Sequence, residues 1–189
     1  MAKVKGSLLL EVARMIRANK DRNWDKYLNA KELEAISGRV LASSWYPADL
    51  YERASFAIFQ EIAGGNLDVA RLWGRFVLED IINRFYPALI QEKDIIIALD
   101  RFKVTRQQWF QFDDWQIRAL EIERWGQNQA RITIRSDHAC PFEPYSYQAA
   151  GSFERLIELC GKTGVHAQIT EHDWESDHPF CIMIVSWKG

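Results

Sequence analysis

Phe180-Cys181-Ile182-Met183-Ile184 is the stretch that decides the fold, because it is apolar at every position and lies close to the end of the chain. Alternate residues of a strand face opposite sides of a sheet, so a strand that is apolar on both faces must be covered on both. The run His138-Ala139-Cys140-Pro141-Phe142 opens an amphipathic helix upstream, and Gly161-Lys162-Thr163-Gly164 separates that helix from a further strand. The C-terminal third therefore predicts strands packed against a helix.

The pattern of apolar residues changes near residue 103. Before it, they recur at the three- and four-residue spacing of helices. Asn29 with Glu32 forms a capping box, and Pro47 suits the first turn of a helix that Gly64-Gly65 ends. We expect five helices in residues 1–102, the last over about residues 90–101. The strongest of them has a predicted buried stripe made of Val69, Leu72, Trp73, Phe76, Val77, Ile81 and Phe85.

After residue 103 the period drops to two, which indicates strands. Strands are predicted over residues 104–112, 118–125 and 130–135, followed by a helix, and then over 165–169 and 180–187. The expected fold class is α+β, with an N-terminal helical half (1–102) followed by an antiparallel sheet with one inserted helix in β-β-β-α-β-β order (103–189). Without a linker or repeat, residues 1–189 are expected to form a single domain.

Composition excludes several classes of protein. With 48% hydrophobic residues among 189, the chain is expected to fold, and its formal net charge of −2 argues against nucleic acid as a partner. No apolar run approaches the length of a membrane span, and the N-terminus does not resemble a signal peptide. Three cysteines, an odd number, favour reduced thiols and a cytoplasmic location.

Catalysis is not expected. Cys140 with His138, Ser136-Asp137-His138 and Glu171-His172-Asp173 contain residue types found in nucleophilic sites. A catalytic triad is a spatial arrangement, however, so adjacency in sequence is no evidence for one. We expect a binding or interaction protein.

The aromatic content exceeds what a plain core needs, with eight Trp, ten Phe and six Tyr. Some of this surface is expected to line an apolar cavity between helices and sheet, or an interface, with ordinary packing as the alternative. The candidates stand beside prolines in connections, on the long helix, and on the last strand. The predicted ligand-binding residues are Trp45, Tyr46, Trp73, Phe76, Phe142, Tyr145, Met183 and Trp187.

The layout of the C-terminal part resembles the V4R (4-vinyl reductase-like) domain, which shares its fold with TRAPP trafficking subunits and haem-binding nitric-oxide sensor domains. The resemblance rests on the third strand, His138-x-Cys140-Pro141-Phe142, the helix with Gly151, and Phe180-Cys181-x-Met183-x-Val185. The N-terminal part resembles an uncharacterised bacterial group first noted as myxobacterial paralogues. That likeness lies in Lys5-Gly6, Tyr46-Pro47, Gly64-Gly65-Asn66 and Leu72-Trp73-Gly74-Arg75-Phe76.

The resemblance implies a cytoplasmic sensor or regulatory domain, often dimeric and without catalysis, that holds an apolar small molecule and signals through a partner or through dimerisation. Two alternatives remain open. One is a protein–protein adaptor with the trafficking-subunit fold and no ligand. The other is a vestigial zinc-binding domain of V4R type.

Departures from the V4R pattern bear on the cofactor. Cys140 and Cys181 occupy the first and last zinc positions, but Asp173 stands where the family has a Cys and Thr170 where it has a Glu. Cys140, His172, Asp173 and Cys181 are the candidate metal ligands, yet neighbours on a strand point to opposite faces, so no metal is expected and zinc stays an alternative. Haem is also not expected, because residues 1–137 contain neither His nor Cys and the nitric-oxide sensors take their haem-ligating His from the helical half.

Overall fold

The computed structural model describes residues 2–111, 120–136, 138 and 140–189. Within these ranges, five α-helices precede an antiparallel four-stranded sheet into which a sixth helix is inserted. The predicted α+β class is therefore confirmed. The chain divides into two compact units, Met1–Asn66 with Arg106–Asp113, and Leu67–Thr105 with Asp114–Gly189. None of the helices in the described ranges is long and apolar enough to span a bilayer.

The first unit combines three helices with a small sheet. Its helices are α1 (Gly6–Ala18), α2 (Ala30–Ser37) and α3 (Ala48–Glu61). Its strands are β1 (Lys3–Lys5), β2 (Trp45–Pro47) and β3 (Phe110–Gln111), antiparallel in the order β2-β1-β3. A 3₁₀ turn covers Trp24–Lys26.

Local sequence signals explain how this unit begins its helices. The predicted capping box is present, since the Glu32 backbone N–H donates to Asn29 Oδ1 at 3.1 Å and the Asn29 N–H donates to Glu32 Oε2 at 2.9 Å. Pro47 immediately precedes α3, as its fixed φ favours. The apolar faces of the three helices then meet in one buried cluster that includes Val12, Ile36 and Ala54.

The second unit contains the long helices and the larger sheet. Its helices are α4 (Leu67–Phe85), α5 (Ile95–Arg106, whose last residue is assigned to the first unit) and α6 (Phe142–Leu159), with a 3₁₀ segment at Pro87–Gln91. Its strands are β4 (Leu120–Gly126), β5 (Gln129–Arg135), β6 (Thr163–Asp173) and β7 (Phe180–Lys188). They pair antiparallel in the order β4-β5-β7-β6.

The sheet confirms the alternation read from the sequence. On β5, Ala130, Ile132 and Ile134 are buried, and Met183 of β7 pairs with Ile132 on one side and Ile169 on the other. On β7, the face that contains Met183 is buried throughout. On the opposite face Ile182 is buried, as is its β5 partner Thr133, while Ile184 is half-buried. The prediction that both faces of β7 are covered therefore holds fully for the Met183 face and in part for the other.

The prediction of a strand over residues 104–112 is wrong for most of its length. Helix α5 starts at Ile95 and continues to Arg106, beyond the predicted end, so Val104 belongs to a helix. Only Phe110–Gln111 is extended, and it pairs with β1 in the other sheet. Alternation of apolar residues from Val104 onward predicted a strand. Val104 also lies seven residues after Ile97, however, and a spacing of seven places both on one face of a helix. Phe112 and residues 118–119 lie outside the described residues.

The predicted buried stripe of α4 is also partly wrong. Val77 and Ile81 are buried, but Val69, Leu72, Phe76 and Phe85 have exposed fractions of 39, 62, 56 and 48%. The buried side of α4 consists instead of Ala70, Gly74, Val77, Leu78, Ile81 and Ile82.

Small residues decide which side of α4 is buried, because α4 crosses α6 at very short distance. A Cβ added to Gly74 would lie 1.9 Å from the Gln148 carbonyl oxygen, and one added to Gly151 would lie 1.9 Å from that of Arg71. Two glycines therefore bring the helix backbones together, and the larger apolar side chains of α4 are left on its outer side.

Candidate functional site

The second unit contains a surface groove of about 620 Å³, here called the α4–α5 groove. Seven of its ten lining residues are apolar or aromatic, and three are polar or charged. Its volume lies within the range of small-molecule sites, and its lining is mostly apolar. The lining residues are Phe85, Tyr86, Pro87, Ala88, Leu89, Ile97, Asp100, Arg101, Val104 and Thr105.

The end of α4 and the turn after it form one wall of the groove. Helix α4 ends at Phe85 because Pro87 has no N–H to continue it, and the chain turns into the 3₁₀ segment Pro87–Gln91. Leu89 of that segment is buried and anchors it, while Phe85 stays 48% exposed. The aromatic side chain of Phe85 is therefore exposed on this wall, beside a turn that Leu89 anchors.

Helix α5 builds the other wall with one of its faces. Residues 97, 100, 101, 104 and 105 follow the three- and four-residue spacing of a single helical face. The opposite face is apolar too, with Ile95, Ala98 and Leu99 buried in the core. Because α5 is apolar on both sides, one face packs in the core and the other lines the groove. On the groove side, Ile97 and Val104 have exposed fractions of 45 and 59%.

The polar groups of the groove differ in how they are paired. Arg101 forms an ion pair with Glu92 at 3.1 Å, and the Thr105 hydroxyl donates to the Arg101 carbonyl oxygen at 2.9 Å. Asp100 is exposed and has no ion-pair or hydrogen-bond partner among the described residues. The unmatched charge of the lining is therefore negative.

Behind α4, a buried ionic network connects that helix to α6 and β6. Glu154 is 5% exposed and accepts hydrogen bonds from Nε and Nη2 of Arg71. It also accepts one from Arg75 Nη1 at 3.2 Å and one from the Ala167 backbone N–H at 2.9 Å. Arg71 also donates to the Ala167 carbonyl oxygen at 2.7 Å. All oxygens of this carboxylate are satisfied, so the network holds the frame and offers no open site.

The eight predicted ligand-binding residues do not line the α4–α5 groove. Trp45 and Tyr46 lie in the first unit, on β2. The Lys5 ammonium stands 4.5 Å from the Trp45 ring centre, and the Tyr46 hydroxyl accepts a hydrogen bond from the Leu41 N–H at 2.9 Å. Both residues have structural contacts, and a ligand role for them stays a prediction.

The other six lie in the second unit but not at one place. Trp73 and Phe76 stack on α4 with ring centres 5.6 Å apart, and Phe142 and Tyr145 meet at the start of α6 at 5.5 Å. Met183 and Trp187 are buried on β7, with exposed fractions of 0 and 7%. Their role in binding also stays a prediction, and none of them lines the α4–α5 groove.

The candidate metal ligands are not grouped. Cys181 is fully buried, and burial raises the pKa of its thiol to about 11 against the opposing effect of a Ser146 hydrogen bond. His172 is exposed and stacks on Trp174 at 4.1 Å, while the Cys140 thiol approaches the Ser136 hydroxyl at 3.6 Å. Among the residues that the structure describes, no three His, Cys, Asp or Glu side chains stand close enough to hold a metal.

Comparison with known proteins gives the class of fold. Neither a family model nor a curated protein matches the sequence. Solved structures do match. A variant of Tt H-NOX aligns with a TM-score of 0.64 at 12% identity, covering 98% of this chain and 95% of that one. An oxygen-binding H-NOX domain related to soluble guanylate cyclases aligns at 0.61 and 11%, covering 96% and 92%.

A third match is a protein studied for modulation of haem redox potential through porphyrin distortion, with a TM-score of 0.61, 13% identity and coverage of 96% of this chain and 99% of that one. The chain therefore has the α+β fold of H-NOX domains. This agrees with the haem-sensor part of the resemblance seen in the sequence. The V4R, TRAPP and myxobacterial parts stay predictions.

The expectation that haem is not a cofactor is contradicted by these comparisons, since one of the neighbours in fold is described by its haem redox potential. Haem iron also accepts Tyr or Met as an axial ligand, so the lack of His and Cys in the helical half does not exclude haem. Every His and Cys of this chain follows residue 137, so helices α1 to α5 supply none of the usual axial ligands. The residues there do not fit His- or Cys-ligated haem, and no haem chemistry is derived for this chain.

The groove was not predicted from the sequence, because its lining residues were assigned to separate elements and residues 104–112 were predicted to be a strand. Phe85 was assigned to a buried stripe and residues 90–101 to an ordinary helix. A usable signal was present, since Ile95-Ile96-Ile97-Ala98-Leu99 is apolar around the whole helix rather than along one face. Such a helix either is buried on all sides or leaves an apolar face for something else to cover.

Proposed function

We propose that this chain is a ligand-binding regulatory domain that holds an apolar small molecule in the α4–α5 groove. The observation that carries the proposal is the groove itself, at about 620 Å³ and lined mostly by apolar residues on two fixed helical walls. Preformed apolar pockets of this size are typical of small-molecule sites. The H-NOX neighbours support a binding role, since one of them is an oxygen-binding domain.

The state of the cysteines supports a role without catalysis. Burial raises the pKa of the Cys160 thiol as well as that of Cys181, with a smaller contribution to Cys160 from the negative charge of Glu92. Thiols that resist ionisation are poor nucleophiles. All three cysteines are free, which suits the reducing cytoplasm that we propose as the location.

A second candidate function is favoured by the outer side of α4. Val69, Leu72 and Phe76 follow helical spacing and are all exposed, and such apolar stripes often mark protein–protein contacts. An adaptor, or a domain that signals by dimerisation, would use this stripe instead of the groove. The two candidates place the functional surface on different helices, so paired variants can separate them.

The experiment is a thermal-shift screen of fatty acids, phenols, terpenoids and haem against the native protein and two variants. Val104→Lys puts a charge in the groove, and Leu72→Lys puts one on the α4 stripe. The two sites are matched, because each side chain is about 60% exposed and each follows an Asp four residues earlier, at Asp100 and Asp68. A ligand at about a hundred times its dissociation constant adds roughly 2.7 kcal/mol, or about 5–10 °C in Tm.

We expect at least one compound to stabilise the native protein and Leu72→Lys but not Val104→Lys. If no compound stabilises the native protein, or if Val104→Lys responds normally, the groove proposal fails. The adaptor candidate predicts a different result. Light scattering of the native protein would show self-association or a complex that Leu72→Lys disrupts and Val104→Lys does not.

A further inference from the structure

We infer that the α4–α5 groove selects apolar ligands that carry a cationic ammonium group over neutral or anionic ligands of the same shape. This inference rests on the proposed function and deepens it by naming the chemical class of the ligand. Three observations carry it. They are the pairing of the charges around the groove, the position of Asp100, and the aromatic wall opposite.

Two arginines, Arg101 of the lining and Arg84 next to the lining in sequence, are both paired with carboxylates. Glu92 holds Arg101 at 3.1 Å, and Asp80 holds Arg84, one residue before the lining, at 2.8 Å. A carboxylate ligand would have to compete with these acidic partners for either guanidinium. An anionic ligand would therefore gain little from these two guanidinium groups.

Asp100 is the charge that remains. It stands three residues after Ile97 and four before Val104, so it lies on α5 between the two exposed apolar side chains of that wall. It has no partner among the described residues. A ligand lying along the wall would cover Ile97 and Val104 and bring a cationic group to the carboxylate.

The wall opposite favours the same charge. Phe85 and Tyr86 lie in succession, with ring centres 6.4 Å apart and planes inclined by 59°. Aromatic faces attract ammonium groups through their quadrupole and give no comparable attraction to carboxylates. An unpaired carboxylate on one wall and two aromatic rings on the other together define a site for an apolar cation.

The test compares three probes that share a phenyl ring and a chain of equal length, namely phenylbutylamine, phenylbutanol and phenylpentanoate. Backbone amide shifts in NMR titrations of the full chain give affinity and location together. We expect the amine to shift the amides of residues 85, 86, 88, 89 and 97–105 and to bind about tenfold more tightly than the alcohol. The carboxylate should bind most weakly.

Two variants assign the preference to one residue. Asp100→Asn keeps the shape of the side chain and removes the charge, so it should lower the affinity of the amine about fivefold and leave the alcohol unchanged. Asp177→Asn removes the same charge from an exposed residue of the β6–β7 connection and should change neither.

The outcomes separate the proposal that the groove binds a ligand from the inference that it prefers cations. Equal binding of all three probes in the groove, or loss of amine affinity in Asp177→Asn as large as in Asp100→Asn, overturns the cation preference and leaves the groove proposal standing. Preference for the carboxylate also overturns it. Shifts confined to residues outside the groove, or no shifts with any probe, overturn both.

Discussion

Single residues in the second unit show how buried polar groups are used to hold the frame. Glu154 on α6 is 5% exposed and is bound by Arg71 and Arg75 of α4 and by the Ala167 backbone of β6. One carboxylate thus connects three elements. The partners of a buried charge offset its desolvation cost, whereas removal of one member leaves the others buried and uncompensated.

At this scale we predict that Glu154→Gln lowers the free energy of unfolding by about 3 kcal/mol, because Arg71 and Arg75 lose their shared counter-charge. The measurement is urea unfolding followed by circular dichroism. Glu123→Gln is the control, since Glu123 is 57% exposed, pairs with Arg131 at 3.4 Å, and should change stability little. Equal losses in the two variants would contradict the assignment.

Cys181 provides a second prediction at this scale. Burial raises the pKa of its thiol to about 11 in the folded protein, above the ordinary value of 9.0. The folded state therefore holds this proton more tightly than the unfolded state. The resulting stabilisation is complete below about pH 9 and is lost as the pH rises towards the folded pKa.

The native protein should therefore lose about 1 kcal/mol more stability than Cys181→Ala between about pH 8 and about pH 10. Cys181→Ala itself should be less stable by about 1 kcal/mol at neutral pH, through loss of packing. Unfolding curves of both proteins across this range provide the measurement, and lysine and tyrosine titration cancels in the comparison. Parallel pH profiles would show that the thiol is not buried in solution.

Between elements, the crossing of α4 and α6 organises the second unit. Gly74 and Gly151 each meet a carbonyl of the other helix at a distance that no Cβ tolerates. The Ser152 hydroxyl, one residue after Gly151, donates to the Gly74 carbonyl oxygen at 3.1 Å. The crossing fixes the rotation of α4, and this rotation exposes Leu72 and Phe76 and places Phe85 at the groove.

We predict that Gly74→Ala and Gly151→Ala each destabilise the protein by about 2–3 kcal/mol, because the helices must separate to admit the methyl group. Because the rotation of α4 sets the groove wall, each change should also weaken ligand binding there. Gly126→Ala on β4 is the control, since an added Cβ would find its nearest neighbour at an ordinary 3.4 Å. Thermal unfolding with and without a stabilising ligand measures both effects.

For the whole molecule, the question is whether the two compact units unfold together. The sequence predicted a single domain, and the contacts within the chain divide it into a unit with three short helices and a unit with the larger sheet. Each unit contains tryptophans, such as Trp24 and Trp109 in the first and Trp73 and Trp187 in the second. Their fluorescence and the far-ultraviolet signal therefore report on both.

We predict one cooperative transition, with coincident curves by fluorescence and circular dichroism and equal calorimetric and van't Hoff enthalpies. A chain of 189 residues is of ordinary size for one cooperative domain. Two separated transitions, with Glu154→Gln shifting only one of them, would show that the units are independent domains.

The sequence by itself determined the features that depend on local pattern and capping. The capping box at Asn29, the helix after Pro47, the alternation on β5 and the α+β class all follow from spacing and from residues whose backbone preferences are strong. Each requires only neighbours in the chain, and each is present in the structure.

Only the tertiary structure decided which apolar residues are buried and where the candidate site lies. Leu72 and Val104 are as apolar as Ile81 and Leu99, but the glycine crossing of α4 with α6 and the continuation of α5 to Arg106 leave the first two exposed. Burial is shared between elements that are distant in sequence, so spacing within one helix cannot determine it. The α4–α5 groove exists for this reason, and the periodicity of either helix did not reveal it.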